Sequence, residues 1–249
     1  MIPRVLFIGG TDSSGGAGLA RDIATAAQME AEARIGVTAV TAQTDGAVHA
    51  VRLMSCDDVA LQVRAAGKVG AVKIGMLGSA EIVSAVATAL SSVPLVLDPV
   101  LASSSGTALL DDRGVDTLIE ELLPCTTLLT PNLPELGMLT ARFGLDETAG
   151  EGQRVRALLR RGCGGVLVKG GHAEESTSCE DRLYLPSGEI IRHCGPRFGI
   201  PLRGTGCQLA SAIAVGLAEG LDLGTAVENA RACVASRFRM RERSLSARV

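Results

Sequence analysis

Apolar residues fall into two alternating rhythms along the chain: short unbroken runs, and longer stretches with helical spacing. Residues 4–8 (RVLFI) form such a run, which stops at Gly9-Gly10. A polar loop, TDSSGGAG, follows, and then a helical pattern over 19–32. Strand, glycine loop and helix in that order predict an α/β unit. Runs at 37–42 (VTAVTA) and 48–53 predict two more strands. The stretch SCDD at 55–58 opens a helix expected to reach 68, with its acids at the positive end. The alternation then becomes regular. Strands are predicted at 69–74, 94–97, 127–130 and 165–168, and helices at 79–91, 111–122, 133–143 and 150–161. Segments 182–185 and 189–193 flank Pro186-Ser187-Gly188 and predict a hairpin at the sheet edge. Helices over 207–219 and 223–239 close the chain. The central runs are apolar on both faces, as strands are when helices cover a parallel sheet on both sides. No linker or repeat interrupts the pattern, so one doubly wound domain is expected over 1–249. Its ligands should bind beyond the carboxyl ends of the strands.

Composition narrows the classes. The chain has 249 residues, 47% of them hydrophobic, enough for a core without staples and too many for a disordered chain. Aromatic residues are 2%, with no Trp, which argues against a nucleic-acid stacking platform. A net charge of −3 carries no nucleic-acid signature. The charge is uneven, however. From Arg231 to Val249 six arginines face one acid, Glu242, so this end carries +5 and the rest −8. A solvated helix face is the ordinary reading, and an anion or partner contact the alternative. Seven cysteines without a C-x-x-C pair, and three scattered histidines, point away from zinc and toward a reducing, cytoplasmic setting. The N-terminal apolar run is too short for a signal peptide. The most apolar late stretch, 205–218, contains Gln208 and is too short to span a bilayer, so no membrane partner is expected.

Candidate chemistry gathers where strands end. The clusters are Gly9-Gly10-Thr11-Asp12 with 13–18, Asp98, Thr130 to Glu135, Lys169-Gly170-Gly171-His172, and Arg203-Gly204-Thr205-Gly206-Cys207. Gly204-Thr205-Gly206 before an apolar helix exposes backbone N–H groups that suit a phosphate, although a plain tight turn looks the same. Cys207 at that helix start can have a lowered pKa and act as base or nucleophile, while type and position alone favour a buried structural cysteine. Asp98 and Glu135 can hold magnesium through water, or simply cap helices. Lys169 can reach a phosphate, or be solvated. Asp22 and Gln43 can recognise an amino-heterocycle, or sit at the core edge. Neither G-x-G-x-x-G nor a P-loop occurs.

Together these segments resemble the hydroxymethylpyrimidine/phosphomethylpyrimidine kinase family of thiamine biosynthesis, within the ribokinase-like group that also holds pyridoxal kinases. The resemblance is carried by GGTDSSGGAGLARD, TAVTAQT, AVKIGMLGS, LVLDPVLASSSG, LLTPNLPE, VLVKGGH and GTGCQLASAIA, in this order. It implies a three-layer αβα fold and magnesium-dependent transfer of the ATP γ-phosphoryl group. The acceptor it implies is 4-amino-5-hydroxymethyl-2-methylpyrimidine, its monophosphate, or both. It places Gly10, Asp22, Gln43 and Met76 on the pyrimidine side, and Asp98 and Glu135 at magnesium, directly or through water. Thr130, Asn132 and Lys169 fall on the phosphate side. Gly204, Thr205 and Gly206 form the anion hole, and Cys207 takes the base position, with Lys169 in the catalytic set. A homodimer is expected. A pyridoxal-like kinase and a catalytically weak pyrimidine-binding regulator are the alternative readings. The chain departs from the family's usual pattern at 29–36 (MEAEARIG), at Thr44 of TAQT, at Glu180-Asp181 and at two segments near the phosphate side. Leu202-Arg203 stands where threonine-histidine is common, and Ser103-Ser104-Ser105-Gly106 lacks a lysine.

Overall fold

Side chains along the first strand, β1 (Arg4–Asp12), alternate between two cores: Leu6 and Ile8 enter one, Val5 and Phe7 the other. That alternation is the period of two expected of a strand with both faces covered. The further strands are β2 (Glu32–Gln43), β3 (Val48–Leu53), β4 (Ala71–Ile74), β5 (Leu95–Leu97), β6 (Leu128–Leu129), β7 (Val166–Val168), β8 (Ser178–Tyr184) and β9 (Ile190–Pro196). They lie in one sheet in the order β3-β2-β1-β4-β5-β6-β7-β8-β9. The pairings from β2 through β7 are parallel, while β3 at one edge and the β8–β9 hairpin at the other are antiparallel. This computed structural model describes residues 2–103, 106–146, 148–170 and 178–246. Ser104, Ser105, Gly171 and His172, from the motifs above, lie outside the described residues.

One face of the sheet is covered by α2 (Cys56–Ala65), α3 (Ala80–Ala89), α4 (Asp112–Thr117), α5 (Leu133–Ala141) and α6 (Glu151–Leu159). The other carries α1 (Gly18–Gln28), α7 (Thr205–Ala218) and α8 (Leu223–Ser246). The result is the expected αβα sandwich. Each fully buried large aliphatic side chain in these cores contributes roughly 1.5–3 kcal/mol. Strand order reverses at β1, which has β2 on one side and β4 on the other. A crevice at the carboxyl ends follows from such a reversal.

Several boundaries move from those expected. The first helix stops at Gln28 instead of 32, because Glu30 takes a left-handed φ of 56° and Glu32 already pairs with Arg4 across β1 and β2. Strand β2 therefore starts five residues early, and the Arg4 Nε–Glu32 Oε2 bond of 2.7 Å secures that start. The helix expected over 111–122 ends at Thr117. A π-helical turn over Leu118–Leu122 and a 3₁₀ turn over Leu123–Cys125 follow, the latter containing Pro124. The wider turn puts Leu118, Ile119, Leu122 and Leu123 all into the core.

Candidate active site

Because the central strands are parallel, Asp12, Met76, Asp98, Thr130 and Lys169 all lie at or just past carboxyl ends on one edge of the sheet. The cap chemistry at this edge is divided. Ser55, Ser79, Asp111 and Asn132 cap α2, α3, α4 and α5 with their side chains. Helix α7 instead starts at Gly204, whose φ is 70°, with no side-chain cap. A side chain there would also collide with the Gly16 carbonyl, so glycine is required on two counts. The first-turn N–H groups of α7 thus have no side chain competing for them, which is the arrangement that receives an anion.

Lys169 stands beside this loop. A β-carbon on Gly206 would lie 3.4 Å from Lys169 Nζ. The ammonium donates to Asp98 Oδ1 at 2.9 Å and lies 3.6 Å from Glu135 Oε2. Its burial disfavours charge, but Asp98 and Glu135 together outweigh that and hold Lys169 protonated. Burial pushes the Asp98 carboxyl up, yet Lys169 and Lys73 pull it down further, and it ends below the ordinary range. Glu135 is raised instead, by burial and by the charge of Asp98, against the pull of Lys169. Glu135 also closes a capping box: its Oε2 accepts the Asn132 N–H and its own N–H donates to Asn132 Oδ1, both at 2.8 Å. The helix-cap reading and the ionic reading of Glu135 are therefore both satisfied by one side chain.

Among the described residues no group of three or more His, Cys, Asp or Glu side chains is arranged to hold a metal ion. Two carboxylates meeting at one ammonium are still a donor set that suits magnesium. That ion binds through one or two carboxylates, waters and substrate phosphates instead of an all-protein cage. Thr130, expected on the phosphate side, sits against Asp98. It is fully buried, and its hydroxyl lies 3.4 Å from Asp98 Oδ1, which it steadies. Asn132 is committed to its cap.

Among the residues expected on the acceptor side, Gly10 makes room for Met76: a β-carbon at Gly10 would be 3.0 Å from the thioether sulfur. Gln43 ends β2, and its backbone N–H and C=O both meet the Ser13 hydroxyl at 2.8 Å. Asp22 departs from expectation. It has no exposed surface, and Lys73 Nζ approaches both of its oxygens at 3.0 Å while Ser211 donates to Oδ1 at 2.7 Å. A direct contact from Asp22 to a ring is not available in this geometry. Burial pushes its carboxyl up against those three bonds, but the symmetrical ammonium fits an ionised pair. Lys73, equally buried, stays protonated because the Asp22 and Asp98 carboxylates outweigh its desolvation. Nothing in the linear pattern assigned Lys73 a role. The available signal was a lysine in the middle of AVKIG, where a buried strand leaves no water for it.

Cys207 lies one helical turn before Ser211 on α7, on the same face. Its thiol is not lowered as the helix start suggests. Burial pushes it up to about 11, with Lys73 opposing and Asp98 and Asp22 adding to the rise. Desolvation outweighs the helix field here.

Beyond Lys169, Thr205 and Gly206, a cavity of about 790 Å³ runs between β9 and α8. Phe198 and Phe238 stack at its wall, 4.5 Å apart and nearly parallel. Arg231 enters from α8 and pairs with Asp181, whose Oδ1 accepts the Gly170 N–H at 2.8 Å. Two arginines of the basic end thus turn inward, Arg231 to Asp181 and Arg237 to Gln208, while Arg239, Arg241 and Arg243 follow the solvated reading. No helix among the described residues is long and apolar enough to cross a membrane.

Comparison with known proteins matches a family profile described as phosphomethylpyrimidine kinase to residues 12–247. The hydroxymethylpyrimidine/phosphomethylpyrimidine kinase of Haemophilus influenzae is 36% identical over 239 residues, covering 92% of this chain and 88% of that protein. The enzyme of the same description from Rhizobium meliloti is 38% identical over 240 residues, covering 93% and 89%. A phosphomethylpyrimidine kinase structure from Clostridium difficile 630 matches with a TM-score of 0.79 at 31% identity, over 95% of this chain and 99% of that one. The pyridoxal kinase of Staphylococcus aureus, in complex with pyridoxal, matches with a TM-score of 0.84 at 28% identity, over 96% and 88%.

Proposed function

We propose that this chain, which belongs to the phosphomethylpyrimidine kinase family and is an ATP-dependent kinase of hydroxymethylpyrimidine and/or its monophosphate, works through the cluster around Lys169. One observation carries this reading: Lys169, held by Asp98 and Glu135, stands against the uncapped glycine start of α7 at the mouth of the large cavity. The cavity suits the nucleotide, with its phosphates toward Lys169 and Gly204-Thr205-Gly206. Gly10, Gln43 and Met76 line the acceptor side. Asp22 acts one step back, holding Lys73 in place.

In the transfer, the acceptor hydroxyl attacks the γ-phosphorus and negative charge sits on the three equatorial oxygens. Lys169 and the N–H groups at the start of α7 meet that charge from fixed positions, so little reorganisation accompanies the reaction. Family membership implies magnesium, and Asp98 and Glu135 would hold it. The ion, when bound, offsets charge on the phosphate oxygens. Cys207 receives the acceptor proton as its thiolate. With the thiol near 11, that form is about one in 10⁴ at pH 7. It is a strong base for that reason, and the proton leaves late in a loose transition state.

The pyrimidine acceptor is favoured over pyridoxal because relatives above 30% identity carry the pyrimidine description. One domain over residues 1–249, a homodimer and a cytoplasmic setting belong to the same reading; all seven cysteines are free thiols, in keeping with a reducing compartment. A panel of hydroxymethylpyrimidine, its monophosphate and pyridoxal with magnesium-ATP tests the function. Product from the pyrimidines is expected. Product from pyridoxal alone, or pyrimidine binding without product, counts against it.

A further inference from the structure

Arg203 immediately precedes the anion loop, and its guanidinium joins that loop to two other segments, 12–14 and 44–45. Toward the interior, Nη2 lies 3.4 Å from Asp12 Oδ2, and Nη1 donates to Ser14 Oγ at 2.8 Å. Toward the rim, Nη1 donates to the Thr44 carbonyl at 3.2 Å and to Asp45 Oδ1 at 2.9 Å. The inner carboxylate is almost fully buried, with 2% of its side chain exposed, while the outer one is 85% exposed. Asp12 organises the glycine loop itself, accepting from the Ser14 N–H, the Ser14 hydroxyl and the Ala17 N–H at 2.7–2.9 Å. Thr44 and Asp45 directly follow Gln43, the polar side chain on the acceptor side. One planar guanidinium therefore reaches four oxygens on the acceptor side, while its own backbone continues into Gly204-Thr205-Gly206. Nη1 alone meets three of those oxygens, and the second nitrogen, Nη2, adds Asp12, which a lysine's single ammonium would reach less well.

We propose that Arg203 is a positioning residue that couples the two halves of the site, so that ordering the acceptor turn at 44–45 and ordering the phosphate loop at 204–206 favour each other. The inference rests on the kinase reading above. The Asp12 contact ties the phosphate loop to the glycine loop. The Thr44 and Asp45 contacts are the breakable part, because they are open to solvent and screened by salt. Coupling of this kind is reciprocal: a nucleotide that orders 204–206 must tighten pyrimidine binding by the same factor as the pyrimidine tightens nucleotide binding.

Titration calorimetry of hydroxymethylpyrimidine, with and without a non-hydrolysable ATP analogue, measures that factor. In the unmodified protein the analogue should tighten pyrimidine binding about tenfold, within the usual range for coupled sites. Arg203→Met should reduce the factor to below about twofold while changing the affinity for each ligand alone much less. Arg203→Lys should restore part of it. Asp12 keeps three hydrogen bonds in Arg203→Met, so folding should survive. Should that variant unfold, Asp45→Asn decides, since it alters only an exposed residue and should lose part of the coupling. Wild-type coupling in both Arg203→Met and Asp45→Asn overturns the inference. So does an unmodified protein that binds both ligands independently, and that result leaves the kinase reading standing. An unmodified protein that binds the analogue but no pyrimidine overturns the kinase reading, and the inference with it.

Discussion

Lys73–Asp22 and Arg203–Asp45 are ion pairs of nearly equal length, 3.0 and 2.9 Å, at opposite depths of one site. The first has 1% and 0% of its side chains exposed, the second 27% and 85%. Depth changes what each can do. Two charges taken out of water are held only if every oxygen and proton finds a partner, and Asp22 meets this with Lys73 and Ser211. Once assembled, such a pair cannot shift without exposing an uncompensated charge. At the rim, water and salt compete for both partners, so the contact opens and closes at little cost. The floor of the site is therefore fixed before substrate arrives, as charge stabilisation in phosphoryl transfer requires, while its mouth is free to adapt.

The widest separation between the two regions should be in stability. Lys73→Met leaves Asp22 buried and unpaired, which should cost about 3–5 kcal/mol in urea unfolding. Asp45→Asn should cost less than ~1 kcal/mol. The double change Asp22→Asn with Lys73→Met should recover much of the loss, because it removes the stranded charge. Equal costs for the buried and rim variants would erase the distinction. Next in size is Lys169→Ala, at the inner end of the same floor. Turnover at saturating magnesium-ATP should fall ~10²–10³-fold, the scale for removing a preorganised donor from a charged transition state. Asp98 keeps Lys73 as a neighbouring charge, so the variant should still fold. Turnover equal to wild type would take Lys169 out of the mechanism.

The same depth difference separates what was legible in the chain from what was not. Strand β3 falls on 48–53 as the apolar run predicts, and the hairpin around Pro186-Ser187-Gly188 forms the expected edge. Those features depend on neighbours in sequence. Strand β2 begins early because Glu32 and Arg34 lie at a partly exposed edge and form an ion pair, so polar residues mask its start. Asp22 reads as a surface or ligand-facing acid until Lys73, 51 residues away, is brought against it. Arg203 finds its partners 158 and 189 residues back along the chain. The glycine start of α7 was visible, since it is local. The raised thiol of Cys207 was not, since a helix-start argument contains no measure of burial.

Cys207 sharpens the comparison by reporting how dry the floor is. With the thiol raised to about 11, the thiolate fraction is small at pH 7 and grows tenfold with each pH unit. Alkylation of Cys207, followed by peptide mass spectrometry to separate it from exposed Cys125 and Cys194, should therefore climb steadily from pH 7 to 10. A plateau near neutral pH would mean that the helix field prevails over burial. Cys207→Ser keeps the size but supplies a poorer base. It should lower turnover ~10²-fold while retaining both ligand affinities. Unchanged turnover, under conditions where transfer limits the rate, would leave Cys207 as packing alone.

The smallest effect is expected at Gln43, where the adaptable rim meets the acceptor. Its backbone is tied to Ser13 through both its N–H and its carbonyl, so truncating the side chain leaves the strand end in place. The side-chain amide already donates to Asp12, and its remaining donor and its acceptor complement an aminopyrimidine edge. Loss of a hydrogen bond at a partly exposed position is worth about 1 kcal/mol, so Gln43→Ala should weaken hydroxymethylpyrimidine binding roughly five- to tenfold. The affinity for an ATP analogue alone should stay as in wild type, because Gln43 does not line the cavity assigned to the nucleotide. Calorimetry on the two ligands separately distinguishes the cases. An unchanged pyrimidine affinity would remove Gln43 from the acceptor site. Equal weakening of both ligands would show that the rim is not independent of the floor even without a second ligand bound, and the division between fixed and adaptable halves would have to be redrawn closer to Arg203.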